Sequence, residues 1–249
     1  MADIPDDTRS LIDHVCPKIR DLGWAHYFAP GTVARAEELG LDFLKLYVIG
    51  RGGVLGDVEA SVVSSAFGYF KPSLIADQWN AARRVIEPRV AGREYGEAAA
   101  RYGREKLTGI DGLEDYCAAA SAVNDAADDV ALSLYAGWKA EPLAEDPPAR
   151  AMQLTALLRE FRGSAHLLAV RASGVHPPQA HRVKRPGDLG MFGWEPVDLP
   201  EPTDEDRAGM RAAEALTDRL VAPAYGALDA AGAAALRNGI DAVERALVG

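Results

Sequence analysis

Cysteine is scarce in this chain: there are two among 249 residues, Cys16 and Cys117. Two thiols make no disulfide framework and have no metal-ligand spacing, so the sequence points to a reducing compartment. Also missing is any uncharged apolar run near the roughly 20 residues that a membrane span needs. The N-terminal Met-Ala-Asp-Ile-Pro-Asp-Asp has neither the basic nor the apolar stretch that opens a signal peptide. A cytoplasmic protein without a membrane partner is expected. Positive charge is short as well: 27 Lys and Arg stand against 37 Asp and Glu, a net charge of −10. That balance offers no global attraction to nucleic acid. Strand-like alternation never lasts beyond a few residues, and neither a G-x-S-x-G elbow nor a phosphate-binding G-x-G-x-x-G occurs. The cysteines fall on apolar helical faces and read as core residues.

What the chain does have is helical periodicity. Leu11, Val15, Ile19 and Leu22 recur at i, i+4, i+8 and i+11 and make one apolar stripe, bent or interrupted at Pro17. Helices are expected over residues 32–39, stopped by Gly40, and over 43–49, broken by Gly50, Gly52 and Gly53. A run over 58–70, capped by Asp57 and apolar on most sides, reads as central core. Ser73 starts the helix carrying Trp79, and residues 88–107 form a charged, alanine-rich helix whose glycines suit close packing. Further helices are expected over 113–138 and 149–172, separated by the acidic, proline-rich 141–148. A short helix opened by Pro177 and Pro178 ends at Pro186, residues 186–202 read as loop, and helices over 204–221 and 225–247 finish the chain. The fold class is all-α: two helix-turn-helix-like halves, 1–140 and 149–249, packed through long helices. A weak internal repeat fits this division, Arg51 to Val54 resembling Arg171 to Val175.

Residues 158–166 read Leu-Arg-Glu-Phe-Arg-Gly-Ser-Ala-His and set charges into an otherwise apolar helix. Buried charges need partners. Arg159, Arg162 and His166 share one helical face, with Gly163 leaving space between them and Glu160 on the adjacent stripe. The arginines could clamp an anionic or carbonyl-bearing ligand, with His166 and Glu160 as the candidate catalytic pair. The competing reading is a buried polar network in which Glu160 pairs an arginine of the other half, Arg51 being the candidate. Tyr47 and Arg51 lie at i and i+4 and, with His26, Tyr69, Phe70 and Trp79, could line an aromatic small-molecule pocket. Plain core packing, with Arg51 on the carbonyls of a helix end, competes with that.

Metal ligation finds little support. No two histidines share one helix at i and i+4, and Glu160 and His166 are six apart. The only basic cluster, residues 176–185, follows a helix and a Ser-Gly turn, so Gln179, Arg182 and Lys184 could read a DNA groove. Its helix is short, however, and residues 190–249 carry eleven acidic against five basic side chains. A basic solvated face is the favoured reading.

Three groups of motifs resemble the SalK-like helix-turn-helix family of actinobacterial proteins. One is His26-Tyr27-Phe28-Ala29-Pro30 followed by Gly50-Arg51 through Leu55-Gly56, then Phe67 through Pro72 with Trp79. The second is residues 158–166, and the third is Glu214, Thr217 and Asp218. The resemblance implies a winged-helix-related fold and members in biosynthetic gene clusters, with no settled activity. Where the family has His-Arg-Gly-Asp-Gly-His, this chain carries Phe161, Ser164 and Ala165. Only eight residues separate Trp194 from Thr203, so the C-terminal winged-helix element is expected to be truncated or lost.

The leading function is a small-molecule-binding or accessory protein of secondary metabolism. Its pocket would draw His26, Tyr47, Arg51, Tyr69 and Trp79 from one half and Arg159, Arg162 and His166 from the other. One alternative is a cofactor-independent biosynthetic enzyme using His166 as acid–base with arginine clamps; another is a ligand-responsive helix-turn-helix regulator of transcription. No cofactor or metal is expected. The expected partner is an anionic or carbonyl-bearing small molecule, nucleic acid is disfavoured, and a homo-oligomer stays open. A shared pocket requires the two clusters to lie within about 15 Å of each other.

Overall fold

Twelve α-helices and three short 3-10 turns organise residues 3–249, which the computed structural model describes, and no strand occurs among them. α1 (Asp6–Leu22) buries the expected stripe and keeps Pro17 inside it. The proline faces outward, so the carbonyl whose hydrogen bond it removes can turn to water. α2 (Pro30–Glu38) and α3 (Phe43–Gly52) follow, and α3 runs through Gly50 where a break is expected. The glycines there serve close approach instead. A Cβ on Gly53 would stand 2.0 Å from the Pro88 carbonyl oxygen, at the start of α6 (Pro88–Leu107).

Two further expectations are corrected. Asp57 caps nothing; it lies 3.7 Å from Arg83, and α4 (Ala60–Phe67) starts after Glu59 without a side-chain cap. Short as it is, α4 buries only Ala60, Val63 and Phe67 and leaves Val62 exposed, so it flanks the core. α5 (Pro72–Ala82) carries Trp79 as expected. The helix expected over 113–138 is two, α7 (Leu113–Ala126) and α8 (Ser133–Lys139). Local polar bonds part them: the Asp128 carboxylate accepts from Val130 N at 3.0 Å, and the Tyr135 hydroxyl donates to Asn124 Oδ1 at 3.0 Å. Asn and Asp compete in this way with helix continuation.

α9 (Pro147–Ala172) is the axis of the molecule, 26 residues and so roughly 39 Å long. It is opened by Asp146, which accepts from Ala149 N. α6 lies against it so closely that a Cβ on Gly103 would meet the Pro148 oxygen at 2.3 Å. α1, α7 and α8 also pack on α9, as do α10 (Pro177–Lys184) and α11 (Asp204–Tyr225). α12 (Ala230–Val248) closes the chain against α1 and α7. The largest apolar core draws on α1, α6 and α7 together with α9, α11 and α12, so residues on both sides of the 141–148 segment share one interior. Residues 186–202 form two 3-10 turns joined by irregular chain.

Candidate functional site

The N-terminal motif and the α9 motif meet. The Arg51 guanidinium, at the end of α3, grips the Glu160 carboxylate with two bonds of 2.9 and 2.8 Å. Arg51 also reaches the Tyr47 hydroxyl at 3.2 Å and lies over the Phe67 ring at 4.5 Å. Arg159 donates to Glu160 at 3.3 Å and to the Tyr27 hydroxyl at 3.2 Å. Burial alone would raise the Glu160 carboxyl, but the charge and bonds of Arg51 hold it below the usual carboxylate range. The pairing considered from sequence, Glu160 with Arg51, is therefore the one present.

This pair does not fill the space around it. A cavity of about 200 Å³ opens beside it, walled by α3, the α4–α5 turn, α9 and α10. Six of the nine sequence-derived site residues line it: Tyr47, Arg51, Tyr69, Arg159, Arg162 and His166. Gly163 lies on the same wall, and a Cβ there would touch nothing within 4 Å, so its open face belongs to the cavity. The other three lie elsewhere. His26 and Glu160 line a second cavity, of about 320 Å³, on the opposite flank of the Arg51–Glu160 pair. Trp79 is 0 % exposed, with its ring packed in the core and its N–H donated to Val58 O at 3.0 Å, and it lines neither cavity.

Sequence reasoning missed part of the first wall. α11 supplies the counter-charges: Arg162 lies 3.1 Å from Glu214 and 3.4 Å from Asp218. Lys184 of α10 pairs with Glu214 too. His166 Nδ1 sits 2.8 Å from the Thr217 hydroxyl, which itself donates to Ala213 O. With its proton so committed, Thr217 accepts, so the imidazole carries its hydrogen on Nδ1 and keeps the lone pair on Nε2. Burial lowers the His166 pKa to about 4 despite Glu214 nearby. It lowers His181, also on the wall, to about 4. Glu214 is held at about 2: burial opposes this, and Lys184, His166 and Arg162 outweigh it. The spacing of Glu214, Thr217 and Asp218, at i, i+3 and i+4 of one helix, was the available signal for this cluster.

The electrostatic character of the wall follows from which end of each pair reaches it. Arg20, Arg51, Arg159, Arg162, Lys184 and Arg185 line the cavity, whereas no Asp or Glu does. Phe67, Phe70 and Phe192 supply apolar surface. Four polar atoms of the residues around this cavity are fully buried without a partner: Arg159 Nε, Arg162 Nε, the Tyr69 hydroxyl and His181 Nε2. Such an arrangement can hold an anion beside an apolar group, and His166 Nε2 can accept a proton.

The basic helix α10 differs from expectation. Gln179 is 5 % and Arg182 8 % exposed. Gln179 donates to Pro200 O and Asp206, and Arg182 to Pro196 O, Leu199 O and Glu201, so both tie down the 196–206 segment rather than face solvent. Among the described residues no group of three or more His, Cys, Asp or Glu could hold a metal ion, and no helix is long and apolar enough to cross a membrane.

The model of a helix-turn-helix family matches residues 14–196 of the 249. A search of curated proteins gives no match, nor does one of solved structures.

Proposed function

The chain belongs to this helix-turn-helix family, and on that footing we propose that it binds an anionic small molecule with an apolar body in the basic cavity, as a binding or accessory protein of small-molecule metabolism. One observation carries the reading: a wall with six cationic side chains and no carboxylate. Cationic side chains gathered around a partly buried space without a carboxylate among them suit a bound carboxylate or phosphate, which would complete their charge-assisted hydrogen bonds. The resemblance to the SalK-like family points the same way. Ser164, which stands where that family has an aspartate, lines the cavity and leaves the wall without that carboxylate. Phe161, in the place of the family's histidine, packs on Tyr135 at 4.9 Å in the core, so that replacement takes nothing from the wall.

Titration calorimetry with 3-phenylpropionate tests the reading. Binding should weaken as salt is added, and should fall by about tenfold or more in Arg162→Gln, the loss of one charged hydrogen-bond donor. Lys184→Gln, at a more exposed position, should give a smaller loss in the same direction. Failure to bind any aryl carboxylate, or equal affinity in both variants, overturns it.

A second reading is favoured by the His166 bonding pattern: a cofactor-independent enzyme in which Nε2 takes a proton from carbon beside a carbonyl of the bound anion. Phenylpyruvate in deuterated water should then exchange its benzylic protons above background, and His166→Gln should abolish the excess. The family name also fits a regulator that responds to ligand, since α10 contributes Ala180, His181 and Lys184 to the wall. Its test is a gel shift with the DNA upstream of its own gene; salt-sensitive, sequence-specific binding would establish it, although the inward-turned Gln179 and Arg182 leave α10 little to read with.

A further inference from the structure

The cavity on the other flank of α9 has no part in the reading above. We propose that it is a second binding site, specific for an apolar amine: a small molecule with a substituted ammonium head on a hydrocarbon or aromatic body. Its volume of about 320 Å³ suits a small organic ligand, and it lies between α6, the chain joining α8 to α9, and the first half of α9.

Three aromatic rings form one side of it. Tyr27 and Tyr95 have centroids 5.5 Å apart, and Tyr95 and Trp138 5.9 Å. Trp138 is fixed by its N–H, which donates to Arg51 O at 3.1 Å. Leu143 and Leu157 add aliphatic surface. The Arg159 guanidinium already lies over Tyr27, 5.5 Å from its centroid, so Tyr95 and Trp138 are the rings left to attract a desolvated cation through their quadrupoles.

The charges agree. Glu94, Glu97, Glu141 and Glu160 all line the cavity. Their arginine partners Arg35, Arg104, Arg89 and Arg51 do not. Each ion pair thus stands with its negative end toward the space, the reverse of the arrangement around the basic cavity. Among the described residues Arg93 is the one lysine or arginine on the wall, and it is exposed. His26, 2 % exposed, lines the cavity with Nδ1 unpartnered. Burial, with Arg159 nearby, lowers its pKa to about 3, so the imidazole stays neutral and sets no positive charge against an ammonium ligand.

Three probes with one body and different heads test this on the full chain: trimethyl(3-phenylpropyl)ammonium, 3-phenylpropan-1-ol and 3-phenylpropionate. The ammonium probe should bind about fivefold or more tighter than the alcohol. Ala156→Trp, which fills this cavity, should abolish ammonium binding while 3-phenylpropionate still binds as in the parent. Leu143→Trp blocks the same space from the α8–α9 segment and replaces Ala156→Trp if that variant does not fold. Glu97→Gln, at an exposed position, should weaken the ammonium probe alone. Equal affinity for ammonium and alcohol, or ammonium binding that survives the blocking variant, overturns the proposal. Loss of 3-phenylpropionate binding by itself overturns only the reading of the basic cavity, so the two failures are distinguishable.

Discussion

The cavity beside Arg51, Arg159 and Arg162 and the cavity beside Glu160, Tyr27 and Tyr95 lie on two flanks of one helix and share one ion pair. The first shows its space the cationic ends of its pairs, Arg51 from Glu160 and Arg162 from Glu214; the second shows the anionic ends, Glu160 from Arg51 and Glu94 from Arg35. Neither needs a large net charge to be selective, because an oriented pair in a low-dielectric wall acts as a fixed dipole. The lesson is that counting charges near a cavity says less than finding which end of each pair reaches it.

The sharpest way to break this comparison is at the divide. Glu160→Gln leaves the Arg51 guanidinium buried without its counter-charge, a loss of about 3–5 kcal/mol. In a chain of this length that corresponds to a fall in Tm of about 10 °C or more. The double variant Arg51→Met with Glu160→Leu should recover most of the stability, as replacing both partners of a buried pair does, while removing the one ion pair that the two cavities share. Thermal melts of the three proteins decide it: a single variant as stable as the parent would show that the pair does not hold the flanks together.

Acid gives a smaller effect that samples both flanks. His26 on the aromatic side is lowered to about 3, and His166 on the basic side to about 4, from an ordinary value of 6.5. The unfolded chain therefore binds more protons than the folded one between pH 6.5 and those values, and stability falls as pH falls. At pH 5 each histidine accounts for up to about 2 kcal/mol of that loss. The paired carboxylates, with lowered values of their own, add to it only below about pH 4.5. His181 contributes in the same sense, so the gap between denaturant midpoints at pH 7 and pH 5 should narrow by one histidine's share, not close, in His26→Phe and in His166→Gln. Unchanged pH dependence in both variants would sink the assignment of neutral buried imidazoles.

What the sequence disclosed was governed by range. α6 and α9 were placed within two residues because composition and helical period are short-range signals, although Pro147 and Pro148, read as boundary, in fact open α9. The shared face of Arg159, Arg162 and His166 followed from the same period. Thr217 and Glu214, some fifty residues on, carried the right i, i+3 spacing, but nothing local says which neighbour that face meets. Tyr95 and Trp138 gave no sign of a second cavity for the same reason. The glycines of α3 misled because a glycine needed for close approach looks, in sequence, like one that ends a helix.

Trp79 is the sharpest instance of that limit and supports the smallest effect. Proximity in sequence to Tyr69 and Phe70 suggested a pocket wall, yet α5 turns the ring away from both cavities into the core. Trp79→Phe removes the bond to Val58 O, which still accepts from Arg83 at 3.4 Å, and some buried ring, a cost of about 1–2 kcal/mol mainly from lost packing. Affinities for 3-phenylpropionate and for trimethyl(3-phenylpropyl)ammonium should both stay within about twofold of the parent, since neither ligand would touch the indole. A selective loss of one of the two would mean that the core between α3 and α5 sets the shape of that cavity, and that the two flanks are less independent than their opposed walls imply.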